Sequence, residues 1–265
     1  MKWGEYSKNK LIVKYEFVCS NPTYFLQTFH DIYMYSLYHF VMVFKDRFEA
    51  GRKIADILYP AYQYQKVRVL ALPNGGVPVG YEVAKRFGVP LEVLVSQKLT
   101  APDNPGFAVG AISEEGVVVI NEPTANLFQF TEKDLWECVQ QGKKEVEKSV
   151  ELFRQGMALR DLERNIIIVV DDGLATGTTA QAALEVVEHH NPPFLIFAAP
   201  ICEVDTSTRV GKSVDDIICL NNSDELQAVS IWYEDYDEVS DEQVLSLIHK
   251  SFDNARENTP FNSSF

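Results

Sequence analysis

A run of five β-branched apolar residues, Ile166–Val170, constrains the fold of this chain more narrowly than any other feature. The run has no polar alternation, so a strand formed by it must be buried on both faces, as in a parallel sheet covered by helices. It stops at Asp171 and Asp172, and a loop of Gly, Ala and Thr then leads into an Ala-rich segment that starts near Thr178. Because ligands bind at the carboxyl ends of strands in such sheets, this turn is a candidate binding loop.

Strands and helices alternate along the chain from residue 42 onward. Helices are predicted at Asp46–Leu58, Val77–Phe87, Thr131–Gly156, Thr178–His189 and Asp241–Ser251, and strands at Val67–Leu72, Leu91–Val95, Val117–Ile120, Asn165–Val170, Phe194–Pro200, Asp216–Leu220 and Ala228–Trp232. The segment Lys98–Phe107, which contains Pro, Gly and Asn and has no periodicity, predicts a long loop. This order predicts an α/β fold, a mostly parallel central sheet with helices on both faces.

Composition restricts the class of ligand. The net charge is -14 and no basic patch is present, which argues against nucleic acid as a partner. No apolar run is long enough to cross a membrane, so a membrane role is not expected. The spacing of the cysteines is not that of a metal site, so we predict reduced, buried thiols in a cytoplasmic protein. The cysteines are Cys19, Cys138, Cys202 and Cys219.

The two ends of the chain differ from its middle in composition and periodicity. Residues 1–41 are rich in aromatic residues and lack clear periodicity, whereas residues 42–254 read as one domain and residues 255–265 as a polar tail. Three interpretations of residues 1–41 stay open: a binding appendage, a disordered tail, or translated upstream sequence with the native start at Met42. The last of these is favoured.

The loop after Val170 has the composition of an anion cradle. Gly173 and Gly177 allow close backbone approach, and consecutive N–H groups at a helix N-terminus converge on one point. Two carboxylates beside a phosphate would repel it unless they face a sugar diol or Mg²⁺. The loop therefore suits a phosphorylated sugar, and the alternative is a plain turn with capping hydroxyls.

The stretch Val169–Ala180, VVDDGLATGTTA, resembles the signature by which type I phosphoribosyltransferases bind phosphoribosyl pyrophosphate (PRPP). The blocks Phe44–Ala55, Val69–Leu94 and Gln97–Ile112 are similar to a bacterial and archaeal branch of predicted phosphoribosyltransferases. The resemblance implies a small hood of C-terminal and inserted segments above the sheet. It also implies transfer of 5-phosphoribosyl from PRPP to a nitrogenous acceptor, such as a purine-like base, with release of pyrophosphate and with Mg²⁺ as cofactor.

The resemblance also assigns residues. Asp171 and Asp172 would contact the ribose hydroxyls and Mg²⁺ and, with Lys98 on a flexible loop, form the catalytic set. The remaining PRPP contacts would come from Gly173, Ala175, Thr176, Gly177, Thr178 and Thr179, and the pyrophosphate contacts from Pro73, Asn74, Gly75 and Gly76. Trp232 and Tyr233 would stack on the acceptor base, although a core position for Trp232 is the alternative.

Two departures from the pattern leave a second function open. Asn74 stands where the branch often has Arg, and Gly106 stands where relatives often carry an acid. Both losses favour a non-catalytic protein that binds PRPP or a nucleotide for regulation. A homodimer is compatible with either function.

Overall fold

The computed structural model describes residues 43–101 and 104–258. Residues 1–41 and the end of the predicted tail lie outside this part, so their interpretations stay predictions. The helices are α1 (Arg47–Tyr62), α2 (Gly76–Phe87), α3 (Glu122–Leu127), α4 (Glu132–Arg154), α5 (Thr178–His189), α6 (Val204–Val210) and α7 (Asp241–Asn258). The strands are β1 (Val67–Ala71), β2 (Leu91–Val93), β3 (Ser96–Ala101), β4 (Asn104–Ser113), β5 (Val118–Ile120), β6 (Ile166–Val170), β7 (Phe194–Glu203) and β8 (Asp216–Ser223).

A five-stranded sheet forms the centre of the fold, with the strand order β2-β1-β6-β7-β8 and parallel pairing throughout. Strand β6 lies in the middle, which explains why the run Ile166–Val170 is uniformly apolar. Its alternate residues enter two different core layers: Ile168 and Val170 pack in one, and Ile167 and Val169 in the other. The predicted α/β architecture is therefore confirmed.

A smaller antiparallel sheet has the order β3-β4-β5, and helices α4 and α5 pack against it. Gly142 of α4 makes this packing close, because a methyl group there would lie 2.5 Å from Leu99 and 2.7 Å from Ile112. The N-terminus of α4 is held by the predicted cap, in which Thr131 and Asp134 bond each other's backbone N–H groups. No described helix is long and apolar enough to cross a membrane.

Several local predictions were wrong. The segment Lys98–Phe107 is not a loop: Lys98 lies in β3, and the chain returns in β4 as its antiparallel partner. Ala228–Trp232 is not a strand, because Val229–Trp232 forms a 3₁₀ helix. Helix α7 continues to Asn258, beyond the predicted end at Ser251. In each case packing with distant segments outweighed the local pattern.

The prediction of reduced thiols was wrong for one pair of cysteines. Cys202 of β7 and Cys219 of β8 form a disulfide. Cys138 of α4 is a free, buried thiol, as predicted. Neighbouring strands brought the pair together, and the spacing of the two cysteines along the chain could not reveal this.

Candidate functional site

The two acids after β6 lie directly against the turn after β1. A methyl group on Gly76 would lie 2.7 Å from the carbonyl oxygen of Val170 and 3.0 Å from Cα of Asp171. A methyl group on Gly75 would overlap Oδ2 of Asp172. The pairing of β1 with β6 brings both turns to the same edge of the sheet. The structure therefore brings together the predicted pyrophosphate turn and the predicted ribose-binding acids.

Asp171 lies in a strongly electrostatic environment. Burial and the neighbouring negative charge of Asp172 raise the pKa of Asp171 well above its ordinary value, and the positive charge of Lys98 opposes this rise. One carboxylate oxygen, Oδ1, accepts a hydrogen bond of 2.8 Å from the backbone N–H of Asp172. Lys98 is thus an electrostatic neighbour of the acid pair, although it lies on a strand and not on the predicted loop.

Asp172 is held by protein donors. It is 8% exposed, and its Oδ2 accepts a hydrogen bond of 2.8 Å from Nε of Arg47 and one of 3.0 Å from the hydroxyl of Tyr236. Its backbone carbonyl accepts a further bond of 2.6 Å from the hydroxyl of Tyr233. The pKa of Tyr236 is raised to about 12, chiefly by burial and also by the charge of Asp172, so this hydroxyl stays a donor at neutral pH.

Arg47 links the acid pair to the segment before α7. Its guanidinium lies over the ring of Tyr236, 3.8 Å from the ring centroid, and its Nη1 donates to the carbonyl of Asp237 at 2.8 Å. Cation–π contact and charged hydrogen bonds both gain strength when they are shielded from water. The first turn of α1 and residues 233–237 are therefore joined at Asp172.

The loop Ala175–Thr179 presents backbone donors, as the sequence predicted. Within the described residues, the backbone N–H groups of Ala175, Thr176 and Gly177 donate to no protein acceptor. The N–H groups of Thr178 and Thr179 belong to the first turn of α5, where helices leave donors unpaired. A chain segment with consecutive free N–H groups at a helix N-terminus is suited to an anion.

The side chain of Asn74 holds the turn Pro73–Gly76 in place. Asn74 donates from Nδ2 to the carbonyl of Val239 at 2.8 Å and to Oδ1 of Asp241 at 3.2 Å. The peptide between Pro73 and Asn74 is cis. The Asn74 side chain therefore ties the turn to the start of α7.

The predicted stacking residues are interior. Trp232 is 8% exposed and Tyr233 is 6% exposed, and both pack with Phe44, Ala50 and Ile201. This burial agrees with the core alternative for Trp232, and a stacking role for either ring stays a prediction. The more accessible ring of this segment is Tyr236.

Sequence reasoning missed the contacts of Arg47 and Tyr236 with Asp172 and the contact of Arg209 with the loop. One signal was available for Arg47. It follows the N-cap Asp46, and a cation in the first turn of a helix is disfavoured by the helix dipole unless something pairs with it. Arg209 gave no local signal, because its partner Thr176 is distant in sequence.

This chain is similar to known proteins over most of its length. The model of the phosphoribosyl transferase domain matches residues 44–238. Proteins from two strains of Mycobacterium tuberculosis, both named as inferred phosphoribosyl transferases, are 36% identical over 209 residues, which make up 79% of this chain and 47% of theirs. The chain thus spans about half the length of the curated relatives it matches. A crystal structure of a protein from Thermus thermophilus is 32% identical, with a TM-score of 0.63, and the match covers 79% of this chain and 99% of that one. This chain belongs to the phosphoribosyl transferase family.

Proposed function

We propose that this protein transfers the 5-phosphoribosyl group of PRPP to a nitrogenous acceptor and releases pyrophosphate. The observation that carries the proposal is the meeting of three features at one edge of the sheet. These are the acid pair Asp171 and Asp172, the donor loop Ala175–Thr179 and the glycine turn Gly75–Gly76. PRPP has a diol, a monophosphate and a pyrophosphate, and each feature suits one of these groups.

The loop Ala175–Thr179 and the turn Gly75–Gly76 would bind the two ends of PRPP. The free N–H groups of the loop would hold the 5-phosphate, because backbone donors at a helix N-terminus favour negative charge. The glycine turn would meet the pyrophosphate with its backbone N–H groups, and the missing side chains at Gly75 and Gly76 leave room for the acid pair behind it. The acid pair lies against the glycine turn and precedes the loop in the chain, and the ribose hydroxyls would donate hydrogen bonds to it.

The two carboxylates of the site are compatible with Mg²⁺. The described residues contain no group of three or more His, Cys, Asp or Glu side chains that could hold a metal by themselves. Mg²⁺ beside phosphates is commonly held by one or two carboxylates and by substrate oxygens, so Asp171 and Asp172 fit a cation that binds together with PRPP. When bound, the cation would offset negative charge on the departing pyrophosphate.

The residues of the chain would act mainly by position and charge. Positive charge would develop on the ribose ring as pyrophosphate leaves, and the carboxylates of Asp171 and Asp172 would stabilise it. Arg47 and Tyr236 would keep Asp172 oriented through their bonds to Oδ2. Lys98 would balance the acid pair when the site is empty.

The second candidate is a protein that binds PRPP or a nucleotide without turnover. One observation favours it: Asn74, which stands where a cation would meet the pyrophosphate, directs its side chain to Val239 and Asp241. The turn therefore lacks a charged side chain for the leaving group. Binding alone requires less of this turn than catalysis does.

Calorimetry and a product assay test the proposal together. PRPP with Mg²⁺ is titrated into the full chain, and a panel of nitrogenous bases is then scanned for release of pyrophosphate. Binding together with base-dependent release supports the transferase. Binding without release from any base selects the regulatory alternative, and the absence of PRPP and nucleotide binding rejects both.

Lys98→Met should move the pH dependence of ligand binding to higher pH. A ribose hydroxyl donates a stronger hydrogen bond to an ionised Asp171 than to a neutral one, so binding weakens as pH falls through the raised pKa of Asp171. Lys98 lowers that pKa, and its removal raises it further. Affinity for ribose 5-phosphate, measured in metal-free buffer from about pH 5 to about pH 8, should therefore decline at a higher pH in the variant.

Lys133→Met is the matched control for this prediction. Lys133 lies on α4, its side chain is 83% exposed, and its removal changes the net charge equally. Its pH profile should coincide with that of the wild type. Coincidence of the Lys98→Met profile with both would show that Lys98 does not act on the acid pair.

A further inference from the structure

The donor loop, with Leu174 just before it, lies against the end of β7 and against α6. Leu174 donates its backbone N–H to the carbonyl of Ile201 and accepts from the N–H of Glu203, both at 2.8 Å. Gly177, in the left-handed region at φ +71°, lies against α6, where a methyl group would be 2.5 Å from Cγ2 of Thr206. The last turn of α6 places Arg209 beside this glycine. The loop therefore has a fixed back wall.

Arg209 bonds the one peptide that links Thr176 to Gly177. Its Nη2 donates to the carbonyl oxygen of Thr176 at 2.5 Å. A trans peptide is planar, and its C=O and N–H groups point in opposite directions. With the oxygen of Thr176 held toward Arg209, the N–H of Gly177 points away from α6. This N–H donates to no acceptor in the part of the chain that the structure describes.

The charge on Arg209 has a second effect on the same peptide. A guanidinium on the carbonyl oxygen polarises the peptide and makes its N–H a stronger donor, as in other hydrogen-bond chains. Arg209 is exposed and also interacts with Glu203, whose pKa is lowered chiefly by the hydrogen bond from Thr206 and in part by this arginine. Glu203 caps α6 by accepting from the N–H of Thr206 at 2.8 Å. The cap and the arginine thus hold α6 and the loop as one unit.

We infer that Arg209 is a positioning residue for the phosphate of the ligand, acting through the Thr176–Gly177 peptide. It aims and strengthens the N–H of Gly177 as a donor to the 5-phosphate. This inference rests on the proposed function, because it assigns the loop to the phosphate of a phosphoribosyl ligand. Arg209 supplies a positive charge, which the loop itself lacks. This charge acts on the phosphate from the opposite side of the Thr176–Gly177 peptide.

Arg209→Met tests the inference with ribose 5-phosphate and pyrophosphate as separate probes. Because Arg209 is exposed and acts on the ligand only through a peptide, its loss should weaken ribose 5-phosphate binding by roughly three- to tenfold. Pyrophosphate, bound at the Gly75–Gly76 turn, should bind nearly as before. Arg209→Lys retains a charged donor and should recover part of the affinity. Arg164→Met, at an exposed arginine in another part of the chain, is the control of equal charge.

Amide NMR distinguishes positioning from simple attraction of charge. In the wild type the Gly177 amide signal should shift strongly when ribose 5-phosphate is added, and in Arg209→Met this shift should be much reduced at saturating ligand. A full Gly177 shift in the variant, even with lower affinity, would overturn the inference. Equal affinities of Arg209→Met and Arg164→Met for ribose 5-phosphate would also overturn it. If the wild type binds neither PRPP nor ribose 5-phosphate, the proposed function fails, and the inference fails with it.

Discussion

Asp171→Asn combined with Asp172→Asn should reduce the affinity for PRPP with Mg²⁺ by about a hundredfold or more. Each carboxylate is proposed to accept hydrogen bonds from ribose hydroxyls, and hydrogen bonds to charged groups contribute about 1.5–3 kcal/mol each. An amide keeps the size of the side chain, but it loses the charge and one acceptor oxygen. Calorimetric titration of wild type and variant gives the two dissociation constants directly.

The matched control for this double variant is Asp56→Asn combined with Asp253→Asn. Both control residues are exposed on helices, so the net charge changes equally while the site is left alone. The control should bind PRPP as the wild type does. An unchanged affinity in the Asp171 and Asp172 variant would contradict the assignment of the acid pair to the ligand.

Stability should respond differently in the single variant Asp171→Asn. The folded protein raises the pKa of Asp171 above its unfolded value, so ionisation of this group at neutral pH costs stability, and that cost fades as pH falls through the raised pKa. Removal of the charge should therefore raise the melting temperature while it weakens PRPP binding. The carboxylates of Asp171 and Asp172 repel each other in the absence of a cation or a diol. Such a site is expected to gain stability and lose function when one charge is removed.

The parts of the fold that follow from local chemistry were predictable. Helix α5 begins at Thr178 and ends at His189 as predicted, because the apolar strand and the Gly-rich turn before it fix its start. The cap of α4 followed from the Thr131 and Asp134 spacing. The positions of the acid pair and of the donor loop followed from the apolar run Ile166–Val170, which predicts a strand that ends directly before them.

The remaining features depend on contacts between distant segments. The hairpin of β3 and β4 forms because β4 also pairs with β5 and α4 packs onto it, whereas its Pro, Gly and Asn residues taken alone indicate a loop. Trp232 is drawn into the interior by Phe44 and Ile201 rather than placed on a strand. The Cys202–Cys219 bond likewise requires knowledge of which strands are neighbours. Such partners cannot be read from a local pattern in one sequence.

Arg47→Met should destabilise the protein by about 3–5 kcal/mol, because removal of one partner leaves the buried carboxylate of Asp172 without its cation. Both side chains are largely buried, at 9% and 12% exposure, and Nε of Arg47 lies 2.8 Å from Oδ2 of Asp172. The hydroxyl of Tyr236 would be the remaining donor to that oxygen among the described residues. Unfolding in urea, followed by circular dichroism, measures the change in free energy.

Arg52→Met is the control on the same helix. Arg52 pairs with Glu82 at 3.4 Å, but its side chain is 54% exposed, so its removal should cost no more than about 1 kcal/mol.

The double variant Arg47→Met with Asp172→Asn should cost less than the sum of the two single changes, with a coupling energy of at least about 1 kcal/mol. If Arg47→Met does not fold, Arg47→Lys takes its place in the cycle, because it keeps the charge and loses the planar contact with Tyr236. Costs for Arg47→Met and Arg52→Met that agree within error would show that the buried pair does not hold the site together. A large, coupled cost would mean that the protein orients Asp172 at the expense of a buried charge, so that the geometry of the acid pair is set before any ligand binds.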